Sequence, residues 1–388
     1  MAEQMRDAYP LRGRPRHYDW GGRHYLPDLL GIQVDDRPWA EYWLGAHSGD
    51  PAELWLDGHW RSLDALIRSA PQRWLGEATA QQYGELPYLL KVLDVSRPLS
   101  IQVHPNHAEA AAGFAQENSR GIALEDPRRN FKDPNPKPEL ALALSEFWLL
   151  HGFKPLTDIV RVLSGYPSLI DLVKRLENEG LKALFSHVMT APKSQLAAWL
   201  LPVMEASTQQ QSERQDPSYW IARWRALHET AEAAVDRGIL GFMMMNLVHL
   251  KPGESIFQDA NVPHAYLEGQ CAEIMTNSDN VMRCGLTPKH VDVAAVIDHL
   301  NFTSSGTLQQ QPPADLSAFA LSHTTANDDV TIFGPACALV LDGSIHLPTM
   351  KAIRGQAFFV PGQRRVRPDM GTGARLLVGS PAEALLCS

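Results

Sequence analysis

The stretch Pro98-Leu99-Ser100-Ile101-Gln102-Val103-His104-Pro105 constrains this chain more than any other. Read as a β-strand, it alternates strictly: Leu99, Ile101 and Val103 fall on one face, and Ser100, Gln102 and His104 on the other. A solvated face poorly explains three polar side chains in a row here, because nearby stretches supply more ligand-type residues in similar settings. The strand therefore reads as half of a metal site.

The other half has to come from elsewhere in the chain. Residues 130–139 run Asn130-Phe131-Lys132-Asp133-Pro134-Asn135-Pro136-Lys137-Pro138-Glu139. The closely spaced prolines force an extended chain without a regular ladder, so Lys137 and Glu139, two apart, face the same way as a new strand begins. A surface ion pair contributes only about 0 to 1 kcal/mol, which hardly explains so rigid a frame. Further on, a strand over 242–250 turns at Lys251-Pro252-Gly253 and continues through 254–257 to Val262-Pro263-His264-Ala265-Tyr266. That layout is a cupin-like jelly roll presenting a ligand from inside the barrel. Gln102, His104, Glu139 and His264 together make two imidazoles, one carboxylate and one amide oxygen. Such a set suits zinc or another divalent first-row metal.

Between these motifs the chain alternates strand-rich and helical regions. A helix is expected over 62–75, a strand over 87–95, and a helix over 106–117 with Asn106 as its N-cap. Residues 155–236 change character: apolar residues recur at three- and four-residue spacing over 156–164, 168–179, 181–189, 194–205 and 219–237, predicting a helical insertion. Its Trp199, Trp220 and Trp224 read as packing residues. Glu41 and His47 read as a hydrogen-bonded structural pair near a sheet edge. After a Ser-, Gln- and Pro-rich linker at 303–314, residues 316–388 read as short strands forming a second jelly roll. Arg364, Arg365 and Arg367 there read as a solvated loop. The expected fold is thus mainly β, two cupin-like jelly-roll domains with an α-helical insertion. The catalytic domain is drawn at 1–154 plus 237–300, the insertion at 155–236, and the linker with C-terminal domain at 301–388.

Composition narrows the partners. The formal charge of −9 over 388 residues argues against bulk binding to nucleic acid or an anionic membrane, so cations serving an anionic ligand must be local. The four cysteines, Cys271, Cys284, Cys337 and Cys387, are scattered and form no Cys-x-x-Cys pair, which predicts neither a disulfide framework nor a thiolate metal site. The N-terminal residues lack the apolar segment of a signal peptide, and no apolar run approaches a membrane span. A cytoplasmic protein is expected, by default a monomer.

Residues 271–290 hold the remaining candidates. Glu273 lies on an expected strand, and Asp279 and Arg283 on a polar loop. Thr287 and Pro288 read as the N-cap and first turn of a helix to about residue 300. Lys289 then sits in a first turn, where free amides attract phosphate and the lysine adds a full charge. Taken in isolation, such a lysine is ordinarily just solvated.

Residues 86–93, 98–105, 133–140, 262–266 and 278–289, in that order, resemble the type I mannose-6-phosphate isomerases. The resemblance implies zinc held by Gln102, His104, Glu139 and His264, an active-site Arg283, and contacts to a phosphorylated sugar from Ser100, Lys137 and Lys289. It implies interconversion of mannose 6-phosphate and fructose 6-phosphate through a cis-enediol. Glu273 is the candidate base, with Lys137 or Asp279 assisting proton transfer to oxygen. The chain departs from the family at Pro136, where the family commonly has a histidine considered for proton transfer or ring opening. Two His and a carboxylate in a jelly roll also suit an iron oxygenase, and Pro136 is compatible with a non-catalytic sugar-binding cupin.

Overall fold

The computed structural model describes residues 5–304 and 308–382. Part of the 303–314 linker, Cys387 and the end of the C-terminal region therefore lie outside the described residues. Every ladder between the strands is antiparallel, and numerous helices accompany them. A ten-stranded sheet carries the candidate site and a seven-stranded sheet packs on it.

Residue alternation fixes how these layers meet. In Glu139–Ala143, Leu140 and Leu142 pack toward the seven-stranded sheet with Phe257, Leu339, Phe359 and Leu377. Ala141 and Ala143 point the other way, into an inner cluster with Leu93, Leu149, Ile256 and Tyr266. Tyr88 ties the two sheets: its hydroxyl donates to the Gly379 carbonyl at 2.7 Å and accepts the Cys337 N–H at 3.0 Å. The helical insertion covers a third surface, where Trp148, Leu150, Ile101 and Val103 join Leu184, Trp199, Leu200 and Trp220. Full burial of each such aliphatic side chain contributes about 1.5 to 3 kcal/mol.

The seven-stranded sheet crosses the expected domain boundary. Its order places Ala320–Thr325, Arg375–Ser380, Ala336–Asp342 and Ala357–Val360 beside Tyr9–Arg12, Glu53–Leu56 and His59–Ser62. Tyr9 pairs with Phe359, so a cut at residue 301 separates strands that share one ladder.

Several local expectations shift. The opening strand spans only Ile101–Val103. Ile101 and Val103 do share a buried face against the insertion, but Leu99 turns to the inner cluster after its N–H bonds the Tyr266 carbonyl at 2.9 Å. The helix expected over 62–75 is two, Leu63–Ser69 and Pro71–Leu75, because Pro71 has no N–H with which to continue the first. Ile170–Thr190 is interrupted at Gly180, as the separate runs over 168–179 and 181–189 lead one to expect, because its φ of 82° is not helical. The last insertion helix ends at Ala226, and residues 242–244, expected to begin the strand over 242–250, belong instead to helix Ile239–Met244, after which strand Met245–Leu250 follows. Asn106 caps His107–Ser119 as expected, in a full capping box with Glu109. Cys271, Cys284 and Cys337 are buried free thiols. Among the described residues no helix is long and apolar enough to cross a membrane.

Candidate metal centre and anion site

Four neighbouring strands place one row of polar residues side by side. Arg283 of Met282–Gly285 pairs with Gln102, Gln102 with His264, and His264 with His151 of Phe147–Phe153. Residues directly opposed across an antiparallel ladder share a face, so these side chains project together. Glu139 enters from the adjoining strand, opposite Met275 on one side and Gln258 on the other. The donor atoms of His104, Glu139 and His264 all lie within 4.8 Å of one another, and all three residues are buried.

The backbone orients both imidazoles. His104 Nδ1 bonds the Asn280 carbonyl at 2.8 Å and His264 Nδ1 bonds the Val262 carbonyl at 3.1 Å. A carbonyl only accepts, so each Nδ1 carries a proton and each Nε2 is the ring nitrogen left to face the carboxylate. His104 Nε2 lies 3.4 Å from Glu139 Oε1, and His264 Nε2 lies 3.5 Å from Glu139 Oε2. Burial, joined by the Lys137 charge, pulls His104 down to about 4, so its ring is neutral at pH 7. His104 Nε2 is fully buried without a hydrogen-bond partner among the described residues. Two imidazole nitrogens converging on a buried carboxylate fit a divalent cation. Gln102, opposite His264, donates its amide N–H to Ser100 Oγ at 3.4 Å, so its amide oxygen is not used in that bond.

Lys137 and Glu139 do face the same way: Nζ and Oε1 are 2.9 Å apart. Burial pushes the Glu139 carboxyl up, but Lys137, His104 and His264 outweigh it and hold it well below the usual carboxylate range. The proline frame is anchored by Asn280, a buried residue whose amide oxygen accepts the Lys132 N–H at 2.6 Å. Its amide nitrogen donates to the Asp133 and Asn135 carbonyls, both at 2.8 Å. One asparagine thus fixes the Lys137–Glu139 segment through its side chain and His104 through its carbonyl.

The inner face continues one step along the strands. Ala141, Glu273, Lys91 and Trp43 form a second row. Glu273, the candidate base, has both oxygens engaged: Lys91 Nζ lies 2.9 Å from Oε2 and the Tyr266 hydroxyl donates to Oε1 at 2.8 Å. Burial disfavours the Lys91 ammonium, but Glu273, Glu41 and Glu139 outweigh it and push its pKa above the ordinary lysine range. Glu41 does not pair with His47; it accepts the Trp43 indole N–H at 2.5 Å, and burial raises its carboxyl pKa. His47 Nε2 faces Asp279 Oδ1 at 3.4 Å, and that hydrogen bond helps hold Asp279 below its ordinary pKa. Sequence reasoning missed Lys91. Its signal was a single lysine inside Tyr88–Val95, a strand buried at every position.

Arg283 and Lys289 have no acidic partner among the described residues. Burial lowers the Arg283 pKa, and burial followed by the Arg283 charge lowers that of Lys289. Lys289 is not in a helical first turn, however. Helix Val293–His299 starts later, capped by Asp292, whose side chain accepts the Ala295 N–H. Thr287 Oγ1 instead accepts the Lys289 N–H at 3.1 Å, closing a local turn. What gathers at this place is two neighbouring cations, Arg283 and Lys289, not a helix end. A separate cleft of about 1110 Å³ in the insertion, between Lys154 and Asp216, shares no residue with the metal centre.

Residues 9–156 match the family model for the catalytic domain of phosphomannose isomerase type I. The mannose-6-phosphate isomerase of Escherichia coli (strain K12) is 34% identical over 345 residues, covering 84% of this chain and 86% of that relative. This chain belongs to the type I phosphomannose isomerase family. The human mannose-6-phosphate isomerase is likewise 34% identical, over 326 residues, covering 77% of this chain and 74% of that relative. The crystal structure of a zinc-bound holo mannose 6-phosphate isomerase superposes with a TM-score of 0.86 at 32% identity, covering 97% of this chain and 100% of that one. The Salmonella typhimurium isomerase bound to its substrate fructose 6-phosphate and to zinc gives 0.84, with the same identity and coverage.

Proposed function

We propose that this phosphomannose isomerase interconverts mannose 6-phosphate and fructose 6-phosphate through a cis-enediol, using one zinc ion per chain. The observation that carries this reading is the buried His104, Glu139 and His264 cluster with its donor atoms converging. Gln102 completes the ligand set through its amide oxygen. Bound zinc supplies Lewis acidity that stabilises negative charge developing on the substrate oxygens.

The chain's own residues divide the remaining work. Isomerisation requires removal of a proton from the carbon beside a carbonyl and its return to the neighbouring carbon, with a second proton moving between the oxygens. Glu273, whose oxygens are held by Lys91 and Tyr266, fixes the Lys91 ammonium as a permanent positive charge on the inner face; its use as carbon base requires release of that Lys91 bond. We place proton exchange at oxygen on Lys137 Nζ, beside the metal ligand Glu139. Asp279, ionised against His47, serves as its relay. Pro136 has no exchangeable proton; its carbonyl accepts the Thr276 hydroxyl at 2.7 Å and so fixes the backbone before Lys137.

Arg283, Lys289 and Ser100 form the proposed phosphate end. Ser100 bonds Gln102, which is paired with Arg283, so the proposed metal and phosphate subsites adjoin at Gln102. Lys289→Ala is expected to raise KM for mannose 6-phosphate by about tenfold with little change in kcat, the loss of one charge-assisted contact. An unchanged KM removes Lys289 from the phosphate site.

We read the sheets as two cupin-like jelly rolls, the second completed by N-terminal strands, with the insertion at 155–236. Cytoplasmic location and a monomer complete the reading. A coupled assay with mannose 6-phosphate alongside metal analysis tests the function. Isomerase turnover with bound zinc supports it; oxygen uptake identifies an oxygenase, and tight sugar binding without turnover a non-catalytic cupin.

A further inference from the structure

Gln258 is completely buried, yet neither its amide nitrogen nor its amide oxygen has a hydrogen-bond partner among the described residues. An amide of this kind offers two donors and two acceptor lone pairs, and leaving a buried polar group unsatisfied costs about 1 to 3 kcal/mol. The fold itself supplies the burial. Strand Ser255–Gln258 lies at the rim of the site, and the segment near Gln309 seals its free edge: the Phe257 N–H donates to the Gln309 carbonyl at 2.8 Å and Ser255 Oγ to the Gln310 carbonyl at 2.9 Å.

The register says where that amide points. Gln258 is directly opposite Glu139, and Ile256 directly opposite Ala141. Ile256 and Ala141 belong to the inner cluster, while Phe257 and Leu140 face the other sheet. Gln258 and Glu139 therefore share the inner face, and directly opposed residues keep their Cβ atoms about 4.5 to 5.5 Å apart, within reach of an amide and a carboxylate. Three groups, Lys137, His104 and His264, hold Glu139 at 2.9, 3.4 and 3.5 Å. An ionised carboxylate offers about four lone-pair sites, so a cation and the Lys137 ammonium still leave room for an amide donor.

We propose that Gln258 is a positioning residue of the metal centre, its amide N–H holding the Glu139 carboxylate in the ligating orientation. This role rests on the metal-centre reading above. It also accounts for a polar side chain standing where the strand otherwise places apolar ones. Groups that orient metal ligands typically change metal affinity by about 10- to 100-fold when removed.

The test is zinc titration of the full-length protein against a competing chelator, with melting temperatures of the zinc-free forms. Gln258→Leu and Gln258→Met keep the volume and delete the amide. Both are expected to weaken zinc binding by about tenfold or more, while zinc-free melting temperatures stay level or rise because an unsatisfied group is gone. Zinc affinity within twofold of the parent in either folded variant overturns the proposal. So does a marked fall in the zinc-free melting temperature, which shows the amide satisfied within the protein alone. The parent titration separates the two readings: a parent that binds no zinc defeats the metal centre itself, whereas equal binding by parent and variants defeats only the role of Gln258.

Discussion

Glu139→Gln and His264→Ala are each expected to lose bound metal and to reduce isomerase turnover by about 10³-fold or more while leaving a folded protein. Glutamine keeps the volume of Glu139 but removes the negative charge that pairs with Lys137 and that a cation would need. Glu139→Ala should be equally inactive and less stable, because it leaves the Lys137 ammonium beside two imidazoles with no counter-charge. His264→Ala removes one of the two imidazole nitrogens facing the carboxylate without disturbing the Asn280 contact of His104. Metal analysis, circular dichroism and the coupled assay on the same preparations check all of this. Full turnover by a verified metal-free variant is incompatible with the assignment.

The second large effect belongs to Lys91. Its ammonium is buried against Glu273, with Glu41 on the same inner face, so Lys91→Met strands two carboxylates in the interior. Breaking a buried pair on one side costs about 3 to 5 kcal/mol, and a loss of that size should lower the melting temperature by many degrees. The double variant Lys91→Met/Glu273→Gln should recover much of the loss, since it deletes one stranded charge. The pH dependence has a definite sign. The Glu41 pKa is already raised by burial, and loss of Lys91 raises it further. A carboxyl whose folded pKa exceeds its unfolded value is stabilising below the unfolded pKa, and that contribution disappears as pH rises through the folded pKa. The destabilisation by Lys91→Met should therefore be smaller near pH 4 than near pH 8. Thermal melts across that range check it, and a pH-independent loss contradicts the pairing.

The candidate metal centre was legible in the sequence because its ligands sit on strands whose alternation is strong. Gln102 and His104 flank the buried Val103, and the prolines around Lys137 leave Glu139 little choice of direction. Lys91 was not legible, because a lysine in an apolar run is indistinguishable from a snorkelling edge residue until Glu273 is found across the ladder. Asn280 was hidden for a similar reason: its task is to join two loops distant in sequence. Lys289 was placed in a helical first turn since Thr287-Pro288 is a good start signal, but Asp292 caps the helix and Thr287 bonds Lys289 instead. The pairing of Tyr9–Arg12 with Ala357–Val360 joins opposite ends of the chain, and no local pattern specifies such a partner. Gln258 escaped notice because a glutamine at a strand end reads as solvated; only the ladder shows it buried opposite Glu139.

The most direct test of the account is isomerisation of mannose 6-phosphate by the parent protein after chelation and after zinc is restored. The account predicts that activity disappears with the metal and returns in proportion to zinc added, reaching its plateau at one ion per chain. Undiminished turnover by protein shown to be metal-free would contradict it.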